Sequence, residues 1–271
     1  MKCVKIYLQI AIIVPFLLLV SCKKSSDDYY PYSPQSPQNE EVFCWTNPVI
    51  EIYGYKLYFS HIKGGTFYMG AQNTDSQGIN YDSLACDDTP VHVETVQDFY
   101  LCQNEVTQGL WEAVMGSNPS YFNYGNPDFP VESVSYEEVL AFIDKINEIG
   151  ICEFRLPTEA EWEFAARGGL PGSLCFELGQ EAWIKSNSSE TTHLVKKKLM
   201  NYLGIFDMKG NVWEYCSNSY ENYGKSDNIV TRGGSWNDDA SKANVFYRGH
   251  YADPTHNDIY TGFRLAITKR N

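Results

Sequence analysis

Three stretches of this chain carry both a start and a stop signal for a helix, and nearly everything between them is broken by turn residues. Thr107 stands before QGLWEAVM, whose Leu110, Trp111, Val114 and Met115 share one face, and Gly116 follows. Ser135 and Glu138 have the spacing of a capping box ahead of Val139, Phe142, Ile143 and Ile146, with Gly150 as the stop. Thr158 and Glu161 repeat that box in PTEAEWEFAARGG, where Pro157 precedes the cap and Gly168-Gly169 ends the run. Each segment has an apolar stripe, so each is expected to lie against a sheet or core. Short β-like runs (Leu57–Phe59, Thr66–Met69, Val91–Val96 and Phe263–Ile267) alternate with long segments rich in Asn, Asp, Gly, Ser and Tyr. No period of roughly 20–50 residues recurs, which excludes solenoids and propellers. The pattern specifies an α+β domain with much loop.

The N-terminal region differs in kind. Lys2 and Lys5 precede the apolar run IYLQIAIIVPFLLLV, which is too short for a stable membrane span. It ends in Leu19-Val20-Ser21-Cys22, resembling a bacterial lipobox, in which the signal is cut before a cysteine that receives a diacylglycerol. Residues 1–21 therefore read as a lipoprotein signal peptide and Cys22 as the lipidation site. Residues 22–45 are a tether rich in Ser and Pro, and 46–271 form the domain. This places the protein at the bacterial cell envelope, held to the outer membrane by its lipid and facing the periplasm or the surface. The net charge is −13, and removing residues 1–21 takes away two lysines and no acid, leaving about −15. A chain so acidic lacks the basic stripe that nucleic acid requires. Lys196-Lys197-Lys198, the one lysine run, reads as a solvated surface turn.

Beyond Cys3 and Cys22, six cysteines remain: Cys44, Cys86, Cys102, Cys152, Cys175 and Cys216. An even number outside the cytoplasm permits disulfides but does not choose their pairing. Cys102 and Cys152 sit among apolar residues, as core thiols do. No Cys-x-x-Cys pair occurs, which excludes thioredoxin-type and zinc-ribbon chemistry.

Seven motifs then follow in order: GGTFYMG (64–70), NEVTQGLWEAVMGSNPSYF (104–122), FPVESVSYEEVLAFIDKIN (129–147), FRLPTEAEWEFAARGG (154–169), GIFDMKGNVWEY (204–215), RGGSW (232–236) and TGFRLA (261–266). Together they resemble the formylglycine-generating enzyme, or sulfatase-modifying-factor, domain. The resemblance implies a loop-rich variant of the C-type-lectin fold. It also implies a copper-dependent oxidase, in which two cysteines five positions apart after RGGS hold the metal, because soft thiolates suit Cu(I). Here those positions are Asp238 and, across a one-residue length difference, Ala243, and no cysteine follows Cys216. No copper is expected, and no catalytic residue is assigned. The five histidines include no pair three to five residues apart, so the iron-dependent branch of the family finds no cluster either. A Gly-x-Ser-x-Gly elbow for hydrolysis is also missing.

Two features of the frame carry further expectations. FDMKGNVWE (206–214) reads on residues alone as a Gly-Asn turn before a buried Trp213. The resemblance makes it a Ca²⁺ loop, with the side chains of Asp207 and Glu214 and the carbonyls of Gly210 and Val212 as ligands to a structural ion. The loop after RGGS offers Ser235, Trp236, Asp238, Asp239, Arg248, His250, Tyr251 and His256 as a candidate ligand groove. Its occupant would be a peptide or glycan, or a partner in an envelope complex. The other reading of this loop is structural, with Arg248 and Arg264 paired to buried carboxylates. As a whole, the chain reads as a calcium-stabilised binding or scaffold module. The alternative is an enzyme, either a cysteine oxidase with displaced ligands or another chemistry in the same groove.

Overall fold

The computed structural model describes residues 47–85, 91–168, 178–219, 229–251 and 253–268. The signal segment with Cys22, the tether, and Cys44, Cys86 and Cys175 lie outside the described residues.

The three helices form where their caps place them. Thr107 caps α1 (Gln108–Met115), accepting from the Leu110 N–H, and Gly116 closes it in the left-handed region. Ser135 and Glu138 make a reciprocal capping box on α2 (Tyr136–Asn147). Thr158 and Glu161 do the same on α3 (Glu159–Ala166). α1 and α2 pack through Trp111, stacked 5.2 Å from Phe142, with the Phe263 ring edge-on to both.

α3 corrects the expectation of one apolar stripe. Seven of its eight residues are buried, including Glu159, Glu161 and Glu163. Arginines from other parts of the chain meet these carboxylates: Arg248, Arg155 and Arg232.

Among the described residues, three antiparallel or mixed sheets pack with these helices. The largest runs β1 (Val49–Ile52), β2 (Tyr55–Ile62), β5 (Phe99–Cys102), β11 (Ala266–Thr268), β6 (Glu153–Arg155). β3 (Gly65–Met69) pairs with β4 (His92–Val96). A four-stranded sheet has the order β10 (Thr261–Gly262), β7 (Trp213–Ser219), β8 (Ile229–Arg232), β9 (Arg248–Tyr251). Of the expected strand Phe263–Ile267, only Ala266 and Ile267 pair, in β11, while β10 ends just before it at Gly262. Phe263, Arg264 and Leu265 cross from one to the other, all wholly buried, because Arg264 is drawn inward by Glu214. Cys102, Cys152 and Cys216 are all buried in the core, as expected for Cys102 and Cys152. Among the described residues no helix is long and apolar enough to cross a membrane.

Candidate functional site

The loop that leaves β8 is held from beneath by buried charge. Arg232, wholly buried, pairs with Glu163 of α3 and donates to the carbonyls of Phe246 (2.7 Å) and Tyr247 (2.9 Å). Glu163 also accepts from the Gly70 N–H (2.8 Å) and pairs with Arg167 (2.7 Å). Arg248 of β9 pairs with Glu159, the other inward carboxylate of α3. Burial works to raise the Glu163 carboxyl, but Arg232 and Arg167 outweigh it and hold it below the usual carboxylate range. This network fixes both ends of the loop on one helix.

Within the loop, Asp238 is the keystone. Its Oδ2 accepts from the Ser235 hydroxyl (2.6 Å), the Ser235 N–H (3.0 Å) and the Trp213 indole (2.9 Å). Gly234, at φ 76°, packs against Ala243, whose nitrogen a Cβ at that glycine would meet at 3.0 Å. Ala243 is wholly buried. The two positions where thiolates would hold copper are therefore an acceptor that closes a turn and a methyl group in the core.

The eight groove candidates are not one surface. Ser235, Trp236 and Arg248 are buried, and the Asp238 side chain is 14% exposed, so these four support the loop from inside. Asp239 and His256 are exposed, and His256 lies 3.3 Å from Asp258. β9 carries His250 and Tyr251, whose side chains lie outside the described residues. The structural reading of Arg248 and Arg264 is the one their ion pairs support.

A second cluster lies below the 207–214 turn. Gly210 (φ 71°) has no room for a side chain, since a Cβ would meet the Trp183 carbonyl at 2.0 Å. Asn211 donates to Glu105 Oε1 (3.0 Å) and to the His193 carbonyl (3.2 Å). Glu214 accepts from Arg264 at both oxygens (2.5 Å each) and from the Trp162 indole (2.7 Å). Asp207 accepts from the Lys196 N–H (2.7 Å) at Oδ2, while its buried Oδ1 has no hydrogen-bond partner. Glu105 Oε2 is likewise buried and unpartnered. Burial, with Glu214 adding to it, raises the Asp207 carboxyl to about 6 against the pull of Lys196 and Arg264. Burial and the charges of Asp207 and Glu214 push Glu105 well above its usual value. Glu105 gave no signal in the sequence beyond its place in NEVT; only its burial beside Asp207 singles it out.

Residues 58–269 match the family of the sulfatase-modifying factor enzyme 1-like domain. The chain belongs to that family. It is 30% identical over 215 residues to the chaperone protein LppX of Paenibacillus barcinonensis, covering 58% of this chain and 76% of that protein. The formylglycine-generating enzyme of Streptomyces coelicolor is 30% identical over 54% of this chain, and the bovine inactive Cα-formylglycine-generating enzyme 2 is 34% identical over 51%. The chain spans about half the length of those two, 49% and 50%. Among solved structures, Treponema denticola variable protein 1 superposes with a TM-score of 0.69 at 29% identity, covering 82% of this chain and 98% of that one. The fold is the α+β, C-type-lectin-like fold of the family.

The family implies calcium at the 207–214 turn, and the chemistry of the donors fits it in kind. Two of the buried atoms without a hydrogen-bond partner are hard carboxylate oxygens of Asp207 and Glu105, which suit Ca²⁺. Their distribution shifts the expected ligand set. Glu214 is engaged by Arg264 and Trp162, so the carboxylates with an oxygen to spare are Asp207 and Glu105. Among the described residues no three His, Cys, Asp or Glu side chains are grouped to hold a metal ion. An ion at this turn would therefore also draw on backbone carbonyls, those of Gly210 and Val212 in the family's scheme.

Proposed function

We propose that this chain is a lipid-anchored protein of the bacterial cell envelope, whose sulfatase-modifying-factor-like domain is a calcium-stabilised binding or scaffold module and does not oxidise cysteine. The observation that carries this reading is the occupancy of the two thiolate positions. Asp238 ties Ser235 to Trp213, and Ala243 is sealed against Gly234. A binding role is also in keeping with relatives named as a chaperone and as an inactive enzyme. Its partners would be a peptide, a glycan or another protein of an envelope complex.

The purified protein is expected to bind Cu(I) no more tightly than its buried thiols allow, and to leave a Cys-x-Pro-x-Arg peptide unoxidised in air. Formylglycine detected in that peptide by mass spectrometry would overturn the reading. The double variant Asp238→Cys/Ala243→Cys should gain Cu(I) affinity. It should also lose stability, by about 1–3 kcal/mol, because the buried Ser235 and Trp213 donors lose their acceptor.

Anchoring rests on Cys22. A fatty-acid analogue fed to the producing cells should label the wild-type protein, and Cys22→Ala should remove the label. Labelling that persists in the variant would sink the assignment.

A further inference from the structure

The lysine run 196–198, a solvated turn by its sequence, is built into the fold. Lys196 has a left-handed backbone (φ 62°) and is half-buried. Its ammonium sits 4.5 Å from the centroid of the Tyr58 ring and 5.9 Å from that of Phe206. Lys198 in turn lies 3.9 Å over the Trp183 ring. Lys196 and Lys197 line a cavity of about 490 Å³, within the roughly 300–1,000 Å³ of small-molecule sites. Tyr55, Lys56 and Tyr58 of β2 line it as well, as do Glu105 and Asp128.

The charges around this cavity are unusual for the chain. Lysine ion pairs among the described residues are Lys209–Glu181 and Lys242–Asp238, so no carboxylate closes on Lys56, Lys196 or Lys197. Three lysines outside any ion pair thus line one cavity of a protein whose net charge is −13. α1 also begins here, with no acidic residue in its first turn, and adds the positive end of its dipole. Against this, Asp128 is an exposed acceptor at the cavity, while Glu105 is wholly buried behind its wall.

An occupant must supply an anion to the lysines, a hydrogen-bond donor to Asp128 and an apolar face to the tyrosine rings. A simple carboxylate has no donors, and a neutral sugar leaves the ammonium groups unmatched. Inorganic phosphate has no apolar face to set against the tyrosine rings. A sugar acid meets all three demands, since its carboxylate pairs with ammonium, its hydroxyls donate, and its ring C–H face packs on an aromatic. We propose that this cavity binds a sugar acid of the uronic-acid class, with Lys196 taking its carboxylate. No residue of the 232–248 loop lines the cavity, so the inference stands or falls independently of the copper test.

Calorimetric titration of the intact protein with glucuronate, glucose, acetate and inorganic phosphate tests this. Glucuronate should bind saturably and at least tenfold more tightly than the other three. Lys196→Gln should weaken it about tenfold or more, the loss of one charge-assisted hydrogen bond. Lys197→Gln should also weaken it, while Lys145→Gln, on the exposed face of α2, should change neither affinity nor melting temperature. The proposal is overturned if glucuronate gives no saturable binding, if acetate, phosphate or glucose binds as well, or if both cavity variants bind like the wild type.

Discussion

Glu163→Gln should destabilise the domain by about 3–5 kcal/mol, the usual result of leaving a buried charge without its partner. A domain is typically stable by only about 5–15 kcal/mol, so this is a large share of the whole. Glutamine keeps the size of the side chain and an acceptor for the Gly70 N–H. What it removes is the nearer negative charge facing Arg232, a guanidinium with no exposure to water, leaving Glu159 at 3.5 Å and shared with Arg248. Arg167 loses its counter-charge in the same step. The effect carries a pH signature. The folded carboxyl lies below its usual 4.5, so its stabilisation is fully present above that value and is lost as pH falls through the folded one. Urea midpoints of wild type and variant should therefore be far apart at neutral pH and converge in acid. A difference under about 1 kcal/mol at pH 7 would show that other bonds, not this charge pair, hold the loop.

Calcium should reverse the sign of a second substitution. In chelator at pH 7.5, wild-type Asp207 is ionised above its raised value of about 6. A carboxyl whose folded pKa exceeds its unfolded one favours the folded state at low pH, and that advantage disappears as pH rises through the folded value. Asp207→Asn, which cannot ionise, should accordingly melt no lower than wild type in chelator, and higher as pH rises past 6. With calcium at about 100 times its dissociation constant the wild type should gain about 2.7 kcal/mol. At about 2–4 °C per kcal/mol for a domain of this size, the gain is a rise of roughly 5–10 °C. The variant should gain little. Scanning calorimetry with and without chelator decides it: identical wild-type melting in both would remove the calcium reading.

The parts of the site differed in how much of their role was legible beforehand. Asp238 and Ala243 were visible as departures from a thiolate pair because motif order alone aligns them. What Asp238 does instead was not visible, since its bond to Trp213 joins residues 25 positions apart. The burial of Glu159 and Glu163 was not legible either, because their partners Arg248 and Arg232 lie 89 and 69 positions away. Lys196 looked solvated for the same reason, and Tyr58 and Phe206, which its ammonium overlies, come from distant parts of the chain.

By itself the sequence determined whatever depends on neighbours along the chain: the three capped helices, the α+β class, the family and the loss of the thiolate pair. Caps, turns and motif order act over a few residues, where chain connectivity already brings the interacting groups together. Only the tertiary structure decided which charges are buried, which carboxylate oxygens stay unpartnered beside the 207–214 turn, and that a lysine run borders a cavity. Those outcomes depend on desolvation and long-range pairing, and the same Glu or Lys changes from solvated group to buried partner according to what the fold places opposite it.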